Sequence, residues 1–144
     1  MEYLKFSMKR FEANDPKARE LTKLFLNKQF NIVYTDNPDP FGVDLISKDG
    51  FAEVEHRSGF CWLNGEFPWP DINIPVRKAK YFEGSNGIYC VWCFDYSVIG
   101  ICPFDKIINS PVKENKNRYL SKGEYFFVVP VGEFQFFEVK LLLD

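Results

Sequence analysis

A small α/β domain, a mixed β-sheet flanked by helices, is the fold class this sequence predicts. Three observations carry it: an early amphipathic helical stretch, a strongly patterned hairpin, and an apolar strand that follows a short basic helix. Asp15-Pro16 is a good helix start, with Asp as N-cap and Pro at the first helical position. Leu21, Leu24, Phe25 and Phe30 then recur at helical spacing, so a helix is expected over 16–29. Residues 31–35 read as a first strand, ended by the turn-rich Asp36-Asn-Pro-Asp-Pro40. Hairpin strands are expected over 42–47 and 51–57. The connection 58–75 is long for a compact domain, which points to function. Residues 76–82 look like a short helix behind Pro75, and 87–96 like a central, strongly apolar strand. Further strands are expected over 98–102, 125–129 and 134–143, with a short helix near 104–109.

The chain has 144 residues, 46% of them hydrophobic, which fits one domain spanning 1–144 with a real core. Aromatics reach 18%, led by sixteen Phe, and favour a sheet-rich interior. A net charge of −2 excludes wholesale electrostatic attraction to nucleic acid and leaves local basic patches open. No apolar run approaches the roughly 20 residues of a membrane span, and the amino terminus lacks the apolar core of a signal peptide. A cytoplasmic protein with no membrane partner is the expectation. Cys90 and Cys93 have CxxC spacing, with Cys61 and Cys102 as conceivable partners. On a buried strand, positions three apart face opposite sides, so buried, reduced core cysteines are expected over a metal site.

The hairpin carries the chemistry. Asp49-Gly50 is a strong two-residue turn signal, because both positions tolerate the positive φ of a type I′ turn. That turn sets Lys48 against Phe51 and Asp44 against Glu55, with Glu53 and Arg57 on the same face and Val54 and His56 on the other. A three-residue loop would instead bring Asp44 opposite Val54. Directly opposed residues have Cβ atoms roughly 5 Å apart, where two carboxylates repel unless a cation or shared proton lies between them. A solvated face with Arg57 neutralising Glu55 is the plainer alternative.

With Asp44 in Phe-Gly-Val-Asp-Leu followed by Glu53-Val-Glu55-His-Arg57, the chain resembles the PD-(D/E)XK nuclease superfamily over roughly residues 16–94. The resemblance implies a restriction-endonuclease-like α-β-β-β-α-β core, here with additional C-terminal strands, whose acids sit on the second and third strands with a lysine two residues beyond. Two alignments are open. In one, Asp44 and Glu53 are the acids and Glu55 stands at the lysine position. In the other, Asp44 and Glu55 are the acids and Arg57 replaces the lysine. The second fits the expected register and is favoured. It also resembles phage and prophage proteins of the superfamily through Trp62, Phe67-Pro68-Trp69 and Ile74-Pro75-Val76-Arg77-Lys78.

The resemblance implies a metal-dependent nuclease that hydrolyses phosphodiester bonds, of DNA rather than RNA. Its cofactor would be Mg²⁺ or Mn²⁺, which offsets charge on the phosphorane and lowers the pKa of attacking water. Asp44 and Glu55 would ligate the metal, Glu53 or Glu20 would orient a ligand water, and Arg57 would contact the phosphate. Arginine stays protonated at physiological pH, so Arg57 cannot serve as a base. The alternative is an inactive nuclease-like protein, for example a phage-encoded modulator of a host enzyme in the host cytoplasm, that binds nucleic acid or a protein partner. Trp62, Phe67 and Trp69 could stack on unpaired bases, and Arg77, Lys78 and Lys80 could contact phosphates. The run Lys113–Lys122 offers a further basic surface through Lys113, Lys116, Arg118 and Lys122. Cleavage at a defined site would need a homodimer or a partner protein, since no specificity domain is visible.

Overall fold

The computed structural model describes residues 4–6, 14–57, 67–82, 86–117 and 120–143. In chain order the elements are β1 (Leu4–Phe6), α1 (Asn14–Phe30), β2 (Thr35–Asp36), β3 (Leu45–Ile46), β4 (Phe51–His56) and β5 (Asp71–Pro75). A 3-10 turn, Val76–Lys78, runs into α2 (Ala79–Phe82), followed by β6 (Gly87–Trp92), β7 (Val98–Pro103) and α3 (Phe104–Ile108). The chain closes with β8 (Val112–Asn117), β9 (Leu120–Pro130), β10 (Gln135–Glu138) and β11 (Leu141–Leu143). The class is α/β with a mixed sheet.

The main sheet has six strands in the order β10-β7-β6-β4-β3-β2. β4 and β6 run parallel within it, and the other neighbouring pairs are antiparallel. A parallel pair needs a crossover rather than a tight turn, and the segment holding β5 and α2 supplies it. A second sheet, β5-β9-β8, is wholly antiparallel, and β1 pairs in parallel with β11.

Alternation along β6 assigns the two cores. Cys90 and Trp92 face α1, where Leu21, Phe25 and Leu26 pack on them together with Ala52 and Ile99. Tyr89 and Val91 face the other way, onto Ile72 and Ile74 of β5, Phe127 and Val129 of β9, and Phe82 and Phe104 of α2 and α3. Each fully buried Leu, Ile or Phe contributes about 1.5–3 kcal/mol. The six-stranded sheet is thus covered by α1 on one face and by the small sheet and short helices on the other. A polar lock fixes α1: the buried Trp92 indole N–H donates to Thr22 Oγ1 at 2.8 Å, and that hydroxyl donates to Ala18 O at 2.7 Å.

Several expectations need correction. The strand expected over 31–35 is reduced to Thr35–Asp36. α1 instead runs on to Phe30 and ends at Asn31 in the left-handed conformation (φ 57°), where asparagine is tolerated. The Asn31 N–H still reaches Asn27 O at 2.9 Å. β5 emerges from what reads as loop, and the polar stretch after Pro111 forms β8. Cys90, Cys93 and Cys102 are free and buried, Cys90 and Cys93 lying in different cores; Cys61 lies outside the described residues. No helix among the described residues is long and apolar enough to cross a membrane.

Candidate active site

The hairpin closes one residue earlier than its strongest turn signal suggests. Lys48 and Asp49 form the tip, with the Ser47 N–H bonded to Gly50 O at 2.9 Å, and the register runs Ile46 to Phe51 and Leu45 to Ala52. Continued by one residue, that register sets Asp44 opposite Glu53, correcting the expected pairing with Glu55. A contact distant in sequence explains the difference. Asn86 O accepts the Phe51 N–H at 3.0 Å, and Asn86 Nδ2 donates to Asp49 O at 3.1 Å. A Cβ at Gly50 would come within 2.7 Å of Asn86 O, so the glycine answers a close backbone approach and its φ is not left-handed. Because the shift is two residues, every side chain keeps its face. The alternation survives while the partner changes.

Beyond Leu45 the strands part. β3 ends there, whereas β4 continues to His56. In the fork each carboxylate accepts a backbone N–H from the facing strand. Val54 N–H donates to Asp44 Oδ2 at 2.9 Å, and Asp44 N–H donates to Glu53 Oε1 at 3.2 Å. The fork opens into a cleft of about 250 Å³, bordered by Ala18 and Arg19 of α1 and by Val54 and His56. Residues from both faces of β4 line it, so it sits at the strand's edge. Lys78, from the 3-10 turn, reaches in from the opposite side. Its Nζ lies 3.3 Å from Glu53 Oε2, donates to the Tyr89 hydroxyl at 3.3 Å, and stands 5.3 Å from the centre of the Tyr89 ring.

The electrostatics follow from this crowding. Glu53 is only 5% exposed. Its burial, and then the Asp44 carboxylate beside it, push its pKa up to about 7 against the opposing pull of Lys78. Tyr89 is fully buried, and burial together with the Glu55 and Glu53 charges raises its hydroxyl well above its ordinary value. Tyr89 pairs with Glu53 in the β4–β6 register, and the charges of both Glu53 and Glu55 act on its hydroxyl. Neither Tyr89 nor the inward turn of Lys78 was evident as part of a carboxylate site: Tyr89 sits in an apolar run that reads as core. The off-face position of Lys78 on its helix, relative to Arg77 and Lys80, was the available signal.

Glu55 lines the same cleft but is held by Arg57, whose Nε donates to Glu55 Oε2 at 3.2 Å. Arg57 also donates through Nη2 to Asn73 O at 2.6 Å and covers the Phe67 ring at 6.0 Å. Glu20 is turned to Lys23, 2.8 Å away, and is not part of the cleft wall. Arg77 pairs with Glu124 of β9, and Lys80 lies over the Tyr81 ring. Trp69 is half-exposed and packs edge-to-face on Phe67 at 5.9 Å. His56 stacks on Tyr96 at 4.6 Å, with its Nε2 3.0 Å from Phe94 O. Trp62 and Arg118 lie outside the described residues.

Among the described residues, no three His, Cys, Asp or Glu side chains are grouped to hold a metal ion. The donor set is a pair, Asp44 and Glu53. A pair fits Mg²⁺, which usually takes one or two carboxylates and keeps several waters. A cation there would offset the Asp44 charge that, after burial, raises the Glu53 pKa. No protein-family model matches the chain, and no curated protein matches it.

Proposed function

We propose that this protein is a metal-dependent phosphodiesterase of the PD-(D/E)XK kind, acting on nucleic acid, DNA in preference to RNA. The observation that carries the reading is the adjacency of Asp44 and Glu53 in a cleft at the parting strands, with the Lys78 ammonium 3.3 Å from Glu53. The succession α1, β2, β3, β4, α2, β6 supports it, β5 being an insertion before α2. Of the two alignments, the register supports the one that makes Asp44 and Glu53 the acids, with Glu55 where the lysine is expected. Asp44 and Glu53 would hold Mg²⁺ or Mn²⁺, which when bound supplies charge compensation and an acidified water. Lys78 supplies the positive charge that Glu55 does not, beside the carboxylates and aimed into the cleft. The hydrogen bond from Lys78 to Tyr89 and the packing around Tyr89 hold that ammonium in place. Arg57 orients Glu55 and contacts the phosphate only with its remaining donors.

The test is cleavage of labelled single- and double-stranded DNA in Mg²⁺ or Mn²⁺. Asp44→Asn and Glu53→Gln are each expected to lower the rate by about 10²-fold or more, with Lys78→Ala in the same range. Cleavage that survives both carboxylate substitutions overturns the assignment. A wild-type protein that binds nucleic acid without cutting it supports the inactive, binding-only alternative.

A further inference from the structure

A second cleft, of about 450 Å³, lies on the other side of the Glu55–Arg57 ion pair, against β5 and β8. That volume falls within the roughly 300–1,000 Å³ of small-ligand sites. Its wall combines three chemistries. Trp69 offers a half-exposed indole, braced on Phe67, which is in turn covered by the Arg57 guanidinium. Arg57 and Lys113 supply positive charge, and Asp71 supplies one carboxylate. Arg57 has five N–H donors, of which the Glu55 and Asn73 bonds occupy two. Lys113 is exposed and has no ion-pair partner among the described residues.

We propose that this cleft binds one unpaired nucleotide, its base against Trp69 and its phosphate on Lys113 and Arg57, so that the strand delivered to the carboxylates is single-stranded. The mixture of charges selects this occupant. A bare phosphate would be repelled by Asp71, and a purely apolar group would desolvate Lys113, Asp71 and the remaining Arg57 donors without compensation. A nucleotide offers an aromatic face for Trp69, a phosphate for the cations and, on its base edge, N–H donors for Asp71. In a duplex the base is stacked and paired and cannot reach the indole. Arg57 borders this cleft and Glu55 borders the first, so a nucleotide held here lies one ion pair away from the Asp44–Glu53 fork. The inference deepens the proposed phosphodiesterase and rests on it for the direction of the strand.

The experiment is fluorescence anisotropy with a short labelled single-stranded oligodeoxynucleotide and the duplex of the same sequence, in EDTA so that no cutting intervenes. Wild type is expected to bind the single strand more tightly than the duplex. Trp69→Ala should weaken single-strand binding roughly 5- to 150-fold, while Trp69→Phe keeps most of it. Lys113→Ala should lower the salt slope of log K by about 0.7. Lys140→Ala, on an exposed lysine outside both clefts, serves as the control, and circular dichroism melts verify that each variant folds. Equal or tighter binding of the duplex, or wild-type affinity in folded Trp69→Ala, overturns the proposal. If Asp44→Asn abolishes cleavage while folded Trp69→Ala binds as wild type, this cleft assignment falls and the phosphodiesterase stands. Single-strand binding through Trp69 in a protein that never cuts supports the cleft and overturns the phosphodiesterase.

Discussion

Glu53 is the residue on which charge, burial and chemistry meet. Its carboxyl is raised from an ordinary 4.5 to about 7 in the folded chain, chiefly by burial and then by Asp44. Between those two values the native state keeps a proton that the unfolded chain has lost. Stability contributed by this group is therefore present below about pH 4.5 and is lost as pH rises to about 7. Glu53→Gln removes the ionisation while its amide can still accept from the Asp44 N–H. The variant is expected to be more stable than wild type at pH 8, by roughly 1–3 kcal/mol, with the advantage gone at pH 4.5. Urea melts at the two pH values measure this, and an advantage that does not change with pH sinks it. At this scale the sequence made Asp44, Glu53 and Glu55 visible as one acidic face, because alternation alone decides faces. It left Lys78 and Tyr89 unassigned to the acids, because nothing local says that a lysine 25 positions beyond Glu53 turns back onto it.

Elements were legible where their signals are local. The apolar spacing of Leu21, Leu24 and Phe25 marks α1, and the apolar run after Gly87 marks β6. Where a distant partner decides, legibility ends. The tip of the hairpin is governed by Asn86 more than by the turn preference of Asp49-Gly50. β5 needs β9 to exist: its two buried residues, Ile72 and Ile74, are too short a pattern to stand out between prolines. β8 is a polar edge strand, so its charges concealed it. The seating of α1 on the sheet likewise uses a long-range hydrogen bond beside its apolar packing. Thr22→Val leaves the buried Trp92 N–H without its acceptor and should cost about 1–3 kcal/mol, while Thr22→Ser should cost much less. Denaturant midpoints at unchanged m-value test the pair. Equal losses in both variants would mean that packing, not the hydrogen bond, holds the helix.

For the whole molecule, both clefts lie where layers meet: the carboxylate cleft between α1 and the edge of β4, the Trp69 cleft between the two sheets. Arg57 ties the layers, bonded to Glu55 on the main sheet and to Asn73 O on β5. Packing beneath β5 therefore supports the site's geometry as well as the core. Ile74→Ala, at a fully buried position beside Asn73, should lower stability by about 2–5 kcal/mol in urea unfolding. A loss below about 1 kcal/mol would show that the small sheet is only loosely joined to the core. The overrun of β4 past β3 has one more consequence. A strand edge without a neighbour invites a strand from another molecule and, repeated, a fibre. Here the Asp44 carboxylate already occupies the Val54 amide, and a visiting strand would have to displace it and bury the charge. The side chain proposed for the chemistry is also a stopper against sideways growth of the sheet.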